Sequence, residues 1–197
     1  DWTLDALQGK GFFSIETELP SAITKLDDLP TTLTVKTDGV TSEETVTWSC
    51  DNFPSLGNAD VTAELSNGRE AYITVNVVPG DLIYFFDCGA GLLNTETEFF
   101  AAAKEKLGDK LLNSDADADY STETKAGYDG TYMVEEHDGG DVMKKNSGND
   151  VWAHGIWADN PIKYSFDLPA GKYTLATGYH EWWNTARNMT ITVTAAT

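Results

Sequence analysis

The chain has 197 residues, 41% of them hydrophobic, which is enough for one large core or two small ones and too many for a disordered chain. Lys and Arg total 13 against 32 Asp and Glu, a formal net charge of −19 that repels phosphate backbones and anionic lipid, so no nucleic acid and no membrane insertion is expected. Residues 1–9 carry neither a basic n-region nor an apolar h-region, and are expected to be a linker at the start of a fragment cut from a longer chain.

From Phe12 to Val78, short apolar alternations recur between turn signals, the pattern of an all-β domain. In Glu44-Thr45-Val46-Thr47-Trp48-Ser49, Val46 and Trp48 alternate with polar residues, which puts the indole on a buried face as core. Asp60 to Leu65 and Ala71 to Val77 flank Asn67-Gly68, and the spacing predicts a hairpin closed by a type I′ turn. Pro79-Gly80 then breaks the pattern and marks a domain boundary, giving residues 10–79 and 80–197. Cys50 and Cys88 fall on opposite sides of it, which predicts two small buried side chains without an intradomain disulfide.

The spaced set Leu29-Pro30, Asp38-Gly39, Val46-Thr47-Trp48, Asn67-Gly68 and a closing Val-rich strand resembles the bacterial Ig-like domains of multimodular surface glycosidases. The resemblance implies a β-sandwich acting as a spacer.

The second half opens on the apolar run Leu82 to Phe86, predicted to be a strand. A short helix is expected next, with Thr95 and Glu98 at capping-box spacing, Phe99, Phe100, Ala103 and Leu107 on its apolar face, and Gly108 as its end. From Pro161 onward, three antiparallel strands are expected: Ile162 to Leu168, Tyr173 to Tyr179 and Met189 to Val193, with a turn at Pro169-Ala170-Gly171.

Leu168-Pro169-Ala170-Gly171-Lys172-Tyr173, Gly178-Tyr179-His180-Glu181-Trp182-Trp183 and Arg187 to Val193 are similar to galactose-binding-like and malectin-like sandwiches appended to bacterial glycoside hydrolases. Asp87-Cys88-Gly89, Leu111-Leu112-Asn113 and Gly127-Tyr128 also match. The resemblance implies a second sandwich, a jelly roll with one short helix, that binds an oligosaccharide or polysaccharide. It further implies a secreted or bacterial cell-surface location and the catalytic domain of the same parent chain as a partner. No cofactor is expected. A structural calcium ion is compatible with the resemblance, with no ligands named.

Sugar rings offer flat C–H patches to aromatic faces and hydroxyls to planar polar groups, so a glycan site needs both kinds of residue together. Four of the six tryptophans, Trp152, Trp157, Trp182 and Trp183, share a C-terminal window with His154, Glu181, Asn184 and Arg187. Residues 149–160 are predicted to hold a strand on which Trp152 and His154 share a face while Trp157 points oppositely, so each indole is either core or platform. His180 to Asn184 interrupts the strand pattern, and one of Trp182 and Trp183 is expected to face solvent as a stacking residue. Tyr128 and Tyr132 are further candidates, expected in a Gly-rich polar loop closing over the same end.

Asp115, Asp117 and Asp119 alternate like the start of a calcium loop, but Tyr120 and Ala126 stand where such a loop needs Gly and an acid. His137, His154 and His180 lack metal-ligand spacing, and there is no nucleophile elbow, Walker loop or dinucleotide fingerprint. The expectation is therefore a non-catalytic, monomeric binding fragment, with a structural or adhesive spacer as the alternative.

Overall fold

The computed structural model describes residues 13–88, 94–115, 117–129, 135–138, 154–157, 161–179, 186 and 188–195; for 94–98, 135–138 and 154–157 the description is of the backbone. Within them the protein is mostly strands with one α-helix.

The first half contains β1 (Phe13–Ile15), β2 (Ala22–Ile23), β3 (Thr32–Thr37), β4 (Val40–Ser49), β5 (Gly57–Leu65) and β6 (Glu70–Val77), joined in the order β1-β3-β4-β5-β6-β2. β4 serves two ladders in turn. Its residues 40–45 pair with β3, and its residues 46–49 pair with β5. β5 shows why the chain takes this course: Gly57, Ala59, Val61, Ala63 and Leu65 are buried while Asp60 and Glu64 are exposed, a period-two pattern that only a strand covered on one face satisfies.

Two apolar clusters lie beneath these ladders. One gathers Phe13, Leu33, Val35, Val46, Ala63 and Leu65, and the other Ile23, Leu29, Ala59, Val61, Val75 and Val77. Trp48 packs against both, and its indole N–H donates to Pro30 O at 2.8 Å, the core role its alternation predicts.

The β5–β6 hairpin falls at Asn67-Gly68, but its turn is not type I′. Leu65 N–H donates to Arg69 O, which leaves a three-residue loop in which Gly68 takes φ +76° and Asn67 stays at negative φ. The type I′ turn lies instead at Asp38-Gly39, with φ +49° and +83° between Thr37 and Val40, which are directly paired.

In the second half, α1 (Asn94–Leu107) forms as its periodicity predicts and ends where Gly108 takes φ +57°. The side chains of Thr95 and Glu98 lie outside the described residues. Phe99, Phe100, Ala103 and Leu107 are buried, and their cluster reaches across Pro79-Gly80: Phe85 and Leu111 join from the second half, Ala22 and Val78 from the first. Lys106 reinforces the junction, donating to Ala22 O at 3.4 Å and lying 3.6 Å from Asp28 Oδ2.

The strand expected over Leu82 to Phe86 does not form: residues 82–87 join no ladder among the described residues. Asn113 takes the place of a partner strand, its amide accepting from Phe85 N–H at 3.1 Å and donating to Phe85 O at 2.6 Å, while Leu112 N–H donates to Ile83 O. β7 (Ala126–Tyr128) pairs with β10 (Tyr164–Phe166), and β8 (Glu135–Asp138) pairs with β9 (His154–Trp157).

Of the three C-terminal strands expected, β10 is the one present. Residues 173–179 and 188–195 carry no ladder, and their alternating apolar side chains are exposed, from 47% at Tyr173 to 74% at Val193. Local alternation fixes which side chains share a face; a ladder needs a partner, and these segments have none within the described residues.

Candidate functional site

Trp152, Glu181, Trp182, Trp183 and Asn184 lie outside the described residues, as do the side chains of His154 and Trp157. The backbone of the last two is placed, at the two ends of β9. Its ladder with β8 sets Asp138 opposite His154 and Glu135 opposite Trp157, so two acidic positions stand in register with the imidazole and indole positions.

Tyr132 lies outside the described residues, while Tyr128, expected in a loop, instead ends the strand β7, paired with β10, and is half-buried. Its position follows from a close approach of backbones. Tyr128 N–H donates to Ala118 O at 2.9 Å and Tyr120 N–H to Tyr128 O at 2.7 Å, which draws residues 118–120 against the strand. Gly127 permits this: it has φ +141°, and a Cβ there would lie 2.2 Å from Ala118 O.

Tyr128 is paired with Tyr164, their rings edge-on at 6.4 Å. Behind that pair, Tyr84, Phe86, Tyr164 and Phe166 form a contiguous ring surface with centroids 5.6 to 6.3 Å apart, all half-buried. Residues 164 and 166 share a face of β10, and Tyr84 and Phe86 meet them there while Phe85 packs the other way against Phe99. Those i, i+2 aromatic pairs are legible in the sequence; their assembly with Tyr128 depends on the β7–β10 register, which is not.

Polar groups lie on both sides of the β7–β10 ladder, Asp129 on the face of Ser165 and away from the rings. Asp129 accepts from Lys163 Nζ at 2.5 Å and Ser165 Oγ at 2.9 Å, and Lys163 first among these holds its carboxyl below the usual range. Tyr120 donates to Asp167 Oδ1 at 3.1 Å. The Tyr164 hydroxyl lies 3.0 Å from Cys88 Sγ and 3.3 Å from Asp117 Oδ1.

Burial pushes the Cys88 thiol up to about 12, with Asp117 and Asp87 adding to the effect, and burial likewise raises the Tyr164 phenol. Both groups are protonated at neutral pH and act as hydrogen-bonding partners, since nucleophilic chemistry would require the thiolate. Cys50 and Cys88 are free thiols. Among the described residues no three His, Cys, Asp or Glu side chains are grouped to hold a metal ion, and no helix is long and apolar enough to cross a membrane.

Comparison of the chain with protein-family models, curated proteins and solved structures finds no match in any of the three.

Proposed function

We propose that residues 80–197 form a non-catalytic carbohydrate-binding module of the galactose-binding-like type, a second β-sandwich carried behind an Ig-like spacer of residues 10–79. The module serves a secreted or surface-attached bacterial glycoside hydrolase, holding the parent chain near an oligosaccharide or polysaccharide. Modest affinity per site is sufficient for a tethered module, because the tether raises the local concentration of substrate.

The observation that supports this reading is the β8–β9 register, which sets the Asp138 position opposite His154 and the Glu135 position opposite Trp157. Aromatic faces and planar hydrogen-bonding groups side by side are what a sugar ring requires. Trp182 or Trp183 is the proposed stacking residue from the sequence.

Affinity electrophoresis against a panel of plant and host polysaccharides tests the proposal. Retardation by at least one, reduced in Trp157→Ala and in Trp182→Ala or Trp183→Ala, is expected. No retardation by any of them, with near-ultraviolet circular dichroism showing a folded chain, refutes it.

The rival reading, a spacer that braces a neighbouring domain, draws on the apolar cluster that joins α1 to Ala22 and Val78 across the boundary. It predicts that the tryptophan variants weaken association with that neighbour and leave polysaccharide retardation unchanged.

A further inference from the structure

A proline–glycine pair between two folded segments has the composition of a linker, and Pro79-Gly80 reads as one in the sequence. In the fold the pair is clasped from the first half. Thr24 Oγ1 donates to Val78 O at 3.0 Å, and Val78 N–H donates to Ile23 O at 2.7 Å. A Cβ at Gly80 would lie 4.0 Å from Thr24 Oγ1, so the residue with the most backbone freedom runs alongside that side chain. Leu82 N–H then closes the turn on Pro79 O at 3.3 Å.

The core continues through the break. Val78 and Leu111, 0% and 1% exposed, belong to one apolar cluster with Ala22, Phe85, Phe99 and Leu107. Exposure this low marks core positions, whereas movable contacts between domains are more polar and more open. Leu56 of the first half and Leu82 of the second pack at the margin of the same cluster. Lys106 adds a polar tie from α1: its ammonium donates to Ala22 O at 3.4 Å and stands 3.6 Å from Asp28 Oδ2, the oxygen that accepts from Thr24 N–H at 2.7 Å.

We infer that Pro79-Gly80 is a stiff joint, across which residues 13–79 and the segment carrying Phe85, α1 and Leu111 unfold and tumble as one body. The first half is then an arm of fixed direction and not a swivelling spacer. This rests on contacts within the chain and stands or falls separately from sugar binding.

Amide hydrogen exchange of the full chain, in urea just below its unfolding midpoint, tests the joint. Amides of β5 and of residues 102–107 should exchange through one shared opening. Leu33→Ala, in a different cluster of the first half, should speed both sets by the same factor, about a hundredfold, and Leu111→Ala should do so from the other side. Either variant speeding only the amides of its own half overturns the inference. Amide nitrogen relaxation of the wild-type chain, where no substitution endangers folding, should return one rotational correlation time for both sets. Separate values overturn the inference equally.

Discussion

β5 and the segment 173–179 both carry apolar residues with a period near two, yet one is buried on a face and the other is exposed. β5 is flanked by β4 and β6, each of which reaches it through a short connection, so its partners are supplied by neighbouring sequence. Residues 173–179 pair with no strand among the described residues, so their cover has to come from residues brought near by the fold. The difference shows that alternation specifies a face, while connection length and turn geometry decide how readily that face finds its partner.

Substitutions in the two halves should diverge accordingly. Leu33, fully buried between β1 and β4, should show the largest effect: Leu33→Ala is expected to lower unfolding free energy by about 3 kcal/mol, read from a urea titration. Gly127→Ala forces a side chain into Ala118 O at an unfavourable φ, and should cost roughly 2 kcal/mol and release the amides of Tyr120 and Tyr128 to hydrogen exchange, leaving β5 protected. Gly68→Ala meets open space at a positive φ, so backbone strain acts without collision and a loss of about 1 kcal/mol is expected in the same titration. A Gly68→Ala loss as large as that of Gly127→Ala would mean that the close approach of residues 118–120 contributes nothing.

The smallest effect is electrostatic. Thr24 N–H, then Lys25 N–H and the Lys106 ammonium, hold the Asp28 carboxyl below its ordinary value. A carboxyl depressed in the folded state binds protons more weakly there than in the unfolded chain. Its contribution is therefore full above the unfolded carboxyl pKa of about 4, and is lost as pH falls through the lower folded value. Thermal unfolding of wild type and Asp28→Asn should differ at pH 6 and converge toward pH 2. A gap that persists undiminished at pH 2 would show that shape, not charge, ties Asp28 to the α1 junction.

Much of the first half was legible because its determinants are local. The position of the β5–β6 hairpin follows from Asn67-Gly68, but the turn type does not, because pairing of Leu65 with Arg69 adds a loop residue that the dipeptide cannot announce. Asp38-Gly39 carries the same dipeptide signal and does form the type I′ turn. The helix was legible from Phe99, Phe100, Ala103 and Leu107, whereas its docking on Ala22 and Val78 depends on contacts far apart in sequence. The candidate site was less legible for the same reason: β8 opposite β9, and Tyr128 opposite Tyr164, are long-range registers.

The central claim is that the second half binds carbohydrate and the first half serves as its support. Titration of a retarding polysaccharide, or of oligosaccharides released from it, into the isotopically labelled chain tests both parts at once. Shifts in backbone amides of 126–129, 135–138 and 154–157, with β3, β5 and β6 silent, are the predicted result. Shifts confined to the first half, or a spectrum unchanged by every glycan offered to a folded chain, would contradict the account.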